Sequence, residues 1–173
     1  MPEQSDRGPA IERIDKPALV LLKFAHKPDE RARDRMRLAP AASTAGTDPQ
    51  SVWLGPDRWL LVSDSATPAD LISRCNQDLG GVTHHAVDYS SALAVFRISG
   101  RNARQLLESG SGVDFRPAKF PVGTCCRTRL AQIAAVVVAD AAEGYEIYID
   151  RSYANYLSDW LAASANIYRS YLN

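Results

Sequence analysis

The chain has 173 residues, with 20 Lys plus Arg against 20 Asp plus Glu, so it carries no net formal charge and no global field that would draw nucleic acid. That length is enough for one compact domain, or two small lobes sharing a core, that buries roughly 68–70% of the surface its unfolded form exposes, with no staple required. Three cysteines, two of them adjacent as Cys125 and Cys126, have neither metal-ligand spacing nor the even count of a disulfide framework, and no run approaches the roughly 18 apolar residues of a membrane span. The expectation is a soluble cytoplasmic protein with no export signal.

Residues 1–16 are polar, carry both charge signs and include Pro2, Gly8 and Pro9, and are expected to form a flexible N-terminal arm before a domain over 17–173. Ala18 to Phe24 is a short apolar run that reads as a buried strand. Asp29 to Leu38 places arginines at 31, 33, 35 and 37, a spacing that spreads them around a helix and points to a solvated helix or loop. Ala39 to Gln50, with two prolines and a glycine, reads as a loop.

Gly55-Pro56-Asp57-Arg58 lies between two apolar runs and predicts a β-hairpin, with Trp53 and Trp59 as near neighbours across it. Thr67 to Leu79 predicts a helix: Thr67 caps it, Pro68 suits its first turn, and Leu71, Ile72, Cys75 and Leu79 share a face that Gly80 closes. His84 to Asp88 and Ala92 to Ser99 follow as strands, then a helix over Ala103 to Glu108 with Gly110-Ser111-Gly112 as its stop. Ile133 to Val138 is a β-branched strand, and Tyr145, Ile147 and Ile149 alternate with Glu146, Tyr148 and Asp150 in another, after a turn at Glu143-Gly144. Asp150 or Ser152 caps a last helix on which Tyr153, Tyr156, Leu157, Trp160, Leu161 and Ser164 recur at helical spacing, as a core or interface stripe.

The residues with reactive side chains do not assemble into a catalytic pattern. On a strand His84 and His85 point to opposite faces and do not share a metal, and the same holds for Cys125 and Cys126. Ser90-Ser91 has no Gly-x-Ser-x-Gly elbow and suits a turn instead. Ser99-Gly100-Arg101-Asn102 opens a helix, where free backbone N–H groups bind anions, but the glycines of a phosphate loop are missing. Arg127 and Arg129, two apart on a strand, put both guanidinium groups on one face, available to a carboxylate, a phosphate or a subunit contact. No catalytic, cofactor-binding or metal residue is therefore expected. The candidate interface residues are Trp53, Trp59, Arg127, Arg129, Tyr168 and Tyr171, the last two because a free tail would expose them.

Four blocks, LGPDRWLL, HHAVDYSSALAVFRISGRNARQLL, FPVGTCCRTRLAQI and YEIYIDRSYANYLSDWL, resemble in order and spacing the gamma subunit of heterotetrameric sarcosine oxidase, over nearly everything from Ala18 onward. They also resemble the wider folate-binding aminomethyltransferase (glycine-cleavage T-protein) fold, departing from it at Arg101, where proline is usual. The resemblance implies an α+β fold of mostly antiparallel sheets with packed helices in two small lobes, about 17–81 and 82–173. It implies a non-catalytic subunit of a cytoplasmic complex that oxidatively demethylates sarcosine to glycine and reduces oxygen to hydrogen peroxide. The one-carbon unit leaves as formaldehyde or joins tetrahydrofolate. FAD, FMN and NAD are then carried by the alpha and beta subunits and zinc by delta, with alpha the chief partner of this chain and no cofactor of its own. A free-standing folate-dependent aminomethyltransferase and a stand-alone interaction or folate-sensing module share the fold and are the competing expectations.

Overall fold

The computed structural model describes residues 8–16, 18–141 and 144–170. In chain order it contains β1 (Ala10–Ile14), β2 (Ala18–Phe24), α1 (Glu30–Arg35), β3 (Thr44–Ala45), β4 (Gln50–Gly55), β5 (Arg58–Ser63), α2 (Pro68–Asp78), β6 (His84–Asp88), β7 (Leu93–Ser99), α3 (Ala103–Gly110), β8 (Cys125–Leu130), β9 (Ile133–Ala141), β10 (Gly144–Asp150), a 3-10 turn (Arg151–Tyr153) and α4 (Ala154–Ser170). Two five-stranded sheets result, ordered β1-β7-β10-β9-β8 and β3-β4-β5-β2-β6, with β1–β7, β9–β10, β2–β5, β2–β6, β3–β4 and β4–β5 all paired antiparallel. The expected α+β class of mostly antiparallel sheets is what forms.

The chain divides into two compact units, interleaved along the sequence. One comprises the described parts of Met1–Ile14, Ala94–Val122 and Thr128–Asn173; the other comprises those of Asp15–Leu93 with Gly123–Arg127. This differs from the expected lobes at 17–81 and 82–173, because β6 pairs back onto β2, Val20 opposite Asp88 through Phe24 opposite His84, and so belongs with the earlier residues. The arm expected over 1–16 is also corrected in part. Ala10–Ile14 is an edge strand paired with β7, Ala10 opposite Ser99 and Ile14 opposite Val95.

In the 15–93 unit, alternate residues of β2 (Ala18, Val20, Leu22, Phe24) and of β5 (Trp59, Leu61) form one sheet face, packed against Leu71, Cys75 and Leu79 of the α2 segment. α2 starts where its sequence dictates. The Thr67 hydroxyl accepts from Asp70 N at 3.2 Å while the Asp70 carboxylate accepts from Thr67 N at 3.1 Å, so two of the helix's first backbone donors are satisfied reciprocally. α1 is a helix of six residues, capped by Asp29, whose carboxylate accepts from Ala32 N at 2.8 Å. Arg31 and Arg35 are exposed as expected, but Ala32, Met36, Leu38 and Ala39 enter the core, which the charge-dense reading of this segment missed.

In the other unit, Phe115, Phe120 and Tyr145 cluster edge to face, with ring centroids 5.1 Å apart for the two phenylalanines and 5.9 Å for Phe115 and Tyr145. Leu106 and Leu107 of α3, Ile147 of β10, and Leu157 and Leu161 of α4 are fully buried. Gly110 closes α3 for a steric reason rather than as a left-handed stop. A Cβ there would lie 2.5 Å from the Trp160 ring, so the glycine is the space into which Trp160 packs.

Candidate partner-facing surface

The hairpin forms where Pro56 predicts it, and Trp53 stands directly opposite Trp59 across β4 and β5. The two indoles nevertheless have different environments. Trp59 is 2% exposed, lies edge to face with Phe24 at 5.8 Å, and donates its Nε1–H to Ala39 O at 2.9 Å. It is a core residue with its polar atom satisfied, and it is withdrawn from the candidate interface set. Trp53 is half-buried and lines a shallow hollow of about 570 Å³ with Ala42, Leu54, Gly55, Pro56, Asp57, Arg58 and the Cys125–Arg127 stretch.

The hollow is built by backbone. Trp53 N donates to Ser43 O at 3.1 Å, Cys125 N to Ala42 O at 3.0 Å and Thr44 N to Gly123 O at 2.8 Å, stitching residues 42–44 to both β4 and the 123–125 stretch. Cys125 is fully buried and its thiol donates to Ser43 O (3.2 Å) and Trp53 O (3.3 Å). Burial pushes that thiol up to about 11, far from a nucleophilic thiolate. Cys126, half-buried, faces the other way, as strand alternation requires. At the rim, the exposed Arg127 guanidinium donates to Leu54 O at 3.4 Å, and Arg58 lies 3.4 Å from the Asp57 carboxylate. Apolar walls with two guanidinium groups and one carboxylate suit the capture of another protein's surface.

The remaining candidates fall elsewhere. Arg129 is exposed and its guanidinium donates to Gln132 O (2.8 Å) and Gln132 Oε1 (3.3 Å), in the turn of its own hairpin. The side chain of Tyr168 and the whole of Tyr171 lie outside the described residues, as does Glu143 of the expected turn. α4 corrects the aromatic stripe. Ala154, Leu157, Leu161 and Ala165 form its buried line, while Tyr153 and Tyr156 are 48% and 47% exposed, a neighbouring line that Ile167 extends. Tyr156 still donates its hydroxyl to Ala131 O at 2.9 Å. The cue for this offset was available: an aromatic residue and an aliphatic or small one recur side by side, at 153–154, 156–157 and 160–161, which marks two adjacent stripes.

The reactive side chains of the central segment serve the framework. His84 Nδ1 lies 2.8 Å from Val82 O and Nε2 3.2 Å from Asn76 Oδ1, while His85 is exposed. Among the described residues no group of three or more His, Cys, Asp and Glu gathers to hold a metal. Ser90 closes the turn after β6: its hydroxyl accepts from Leu19 N at 3.0 Å and its own N–H donates to Asp88 Oδ1 at 2.8 Å. At the start of α3, Gly100 and Asn102 take left-handed angles (φ 82° and 66°), and a polar hollow of about 470 Å³ opens there beside Arg101, Arg104, Gln105, Pro117 and Tyr145. Arg104 is paired to Glu108 at 3.5 Å, so its charge is already answered within the helix.

Comparison with known proteins gives these features a context. The model of the sarcosine oxidase, gamma subunit family matches residues 36–166. The chain is 27% identical over 121 residues to the sarcosine oxidase subunit gamma of Corynebacterium sp. (strain P-1), covering 70% of this chain and 58% of that protein. It is 25% identical over 112 residues to the subunit gamma of Arthrobacter sp., covering 64% and 53%. The matched stretch thus spans little more than half the length of these relatives. Among solved structures, a chain of the heterotetrameric sarcosine oxidase from Corynebacterium sp. U-96, in complex with pyrrole 2-carboxylate, superposes with a TM-score of 0.83 at 20% identity, covering 94% of this chain and 86% of that one. The glycine cleavage system aminomethyltransferase T from Bartonella henselae superposes with a TM-score of 0.64 at 12% identity, covering 90% and 45%. At these identities the structural likenesses show the fold, the aminomethyltransferase-like α+β arrangement that the sequence blocks implied.

Proposed function

We propose, because the chain belongs to the sarcosine oxidase gamma subunit family, that it is a non-catalytic subunit of a heterotetrameric sarcosine oxidase and serves to assemble and stabilise the flavoprotein complex. The family match over residues 36–166 carries this reading. The character of the hollow supports it, since Trp53, Arg58 and Arg127 offer a docking surface and the buried Cys125 thiol is held protonated. On this reading the complex demethylates sarcosine to glycine, passes electrons to oxygen to give hydrogen peroxide, and releases the one-carbon unit as formaldehyde or onto tetrahydrofolate.

FAD, FMN and NAD would then be held by the alpha and beta subunits and zinc by delta, with alpha the main contact of this chain and the cytoplasm its compartment. Within the described residues no helix is long and apolar enough to cross a membrane. The exposed Arg127 and the half-buried Trp53 are the residues we assign to the partner contact, with Arg129, Tyr168 and Tyr171 as further candidates.

Co-purification from native extract tests the proposal: large FAD- and FMN-bearing chains should come down with this one, and Arg127→Glu should reduce their yield without unfolding the chain. A flavin spectrum in the purified single chain would overturn it. So would micromolar binding of tetrahydrofolate to the single chain, which would favour a folate-dependent enzyme instead.

A further inference from the structure

Each sheet has two edges, and three of the four carry a guard against pairing with another chain. β1 bears Glu12 and Arg13, β8 bears Arg127 and Arg129, and β3 is two residues long. β6, the edge beside β2, has the sequence HHAVD, whose one carboxylate, Asp88, stands at its very end, with no lysine, arginine, proline or bulge along it. The bonds flanking its ladder fix which way its backbone faces: Tyr89 N donates to Leu19 O at 2.7 Å and Ala25 N to Thr83 O at 3.1 Å. In an antiparallel pair such residues alternate, so His85 and Val87 also turn their amides toward β2, and His84, Ala86 and Asp88 turn theirs outward. Among the described residues no backbone group accepts or donates at those outward positions.

We infer that β6 is a pairing edge for a second copy of this chain, forming an antiparallel β6–β6 ladder centred on Ala86. The strand is complementary to itself in that register. Each outward N–H and C=O of His84, Ala86 and Asp88 meets an outward partner in the second copy, whereas a slip of two residues in either direction strands an end residue. Asp88 lies opposite His84 of the second copy at both ends, so no like charges meet, while the larger slip that brings Asp88 against Asp88 opposes them. The Asp88 carboxylate, hydrogen-bonded by Ser90, is held below the usual carboxylate range and is anionic at neutral pH. On the other face Val87, 48% exposed, comes opposite His85 and is covered. A contact of five residues a side is well below the roughly 1,200 Å² of a standard stable interface, so the dimer is weak and forms at high concentration. This inference does not rest on the subunit reading.

Sedimentation equilibrium of the full chain over a wide concentration range tests it, with a reversible monomer–dimer equilibrium expected. Ala86→Pro removes an outward N–H and leaves the β2 ladder intact; Val87→Lys adds the edge charge that the strand lacks. Each should weaken dimerisation by about tenfold or more with the thermal midpoint of the dilute monomer held. A chain that stays monomeric throughout, or a dimer that neither variant weakens, overturns the inference. So does a monomeric chain whose Val87→Lys variant loses the large flavoprotein chains on co-purification, because the edge would then belong to a different subunit.

Discussion

β10 and β6 are both antiparallel strands of similar length, yet they have opposite fates. β10 lies third in its sheet, between β7 and β9, and every residue from Gly144 to Ile149 is buried, Glu146 and Tyr148 included. β6 ends its sheet, and His85, Val87 and Asp88 are exposed. The sequence of β10, Tyr-Glu-Ile-Tyr-Ile, reads as half-buried by its alternation, and the alternation does report which face each side chain takes. It does not report whether the second face is covered, because coverage depends on sheet order and on what packs beyond, both non-local facts. The Glu146 carboxylate tolerates its burial by accepting the Tyr148 hydroxyl beside it.

The largest expected effect tests the central strand directly. Ile147→Ala removes a side chain with no exposed surface and should cost about 2–5 kcal/mol in urea unfolding, through lost burial plus the residual cavity. A cost under about 1 kcal/mol would mean that β10 is not the buried centre described here. Tyr148→Phe comes next. It deletes only a hydroxyl, but that hydroxyl serves a carboxylate 6% exposed, so a loss of about 1–3 kcal/mol is expected with little change in the denaturant slope.

The same contrast between local and non-local causes accounts for what the sequence discloses. The hairpin at Gly55-Pro56-Asp57-Arg58 and the start of α2 at Thr67-Pro68 are legible because each signal is complete within a few residues: a turn proline with its flanking strands, and a cap with its reciprocal partner. β1 is not legible in the sequence, because five residues with two isoleucines mean little until β7, far along the chain, supplies the ladder. Trp59 reads as an interface candidate because its symmetry with Trp53 across the turn is visible, whereas Phe24 and Ala39, which enclose it, come from other segments. Met36 and Leu38 were obscured by four interleaved arginines. The framework roles of His84, Ser90 and the cysteines followed from alternation and the missing motifs. The hollow beside Trp53 did not, since residues 42–44 and 123–127 meet only in three dimensions.

At the edge, effects should be smaller and should reside in the turn. Ser90→Ala removes the acceptor for Leu19 N and should cost about 1 kcal/mol at neutral pH. It also removes the main cause that lowers the Asp88 pKa. A group whose folded pKa is depressed adds stability above its unfolded value and loses it as pH falls through the folded one. The difference between wild type and Ser90→Ala should therefore be constant from neutral pH down to about pH 4 and shrink below that, as read by denaturant titrations across the acid range.

The smallest expected effect is the sharpest test of the contrast. Val87→Thr keeps the β-branch that suits a strand and exchanges one methyl for a hydroxyl at a position 48% exposed, with its amide turned toward β2 and its side chain in solvent. In dilute solution the change should stay within about 0.5 kcal/mol, because no buried polar group is created and no packed volume is lost. At concentrations where the β6 edges pair, the same hydroxyl would lie opposite the imidazole of the second copy, and the penalty should grow with concentration, as thermal unfolding over a dilution series would show. A penalty above about 1 kcal/mol that is already present at high dilution would mean that Val87 is covered within the single chain and that β6, like β10, is an interior strand.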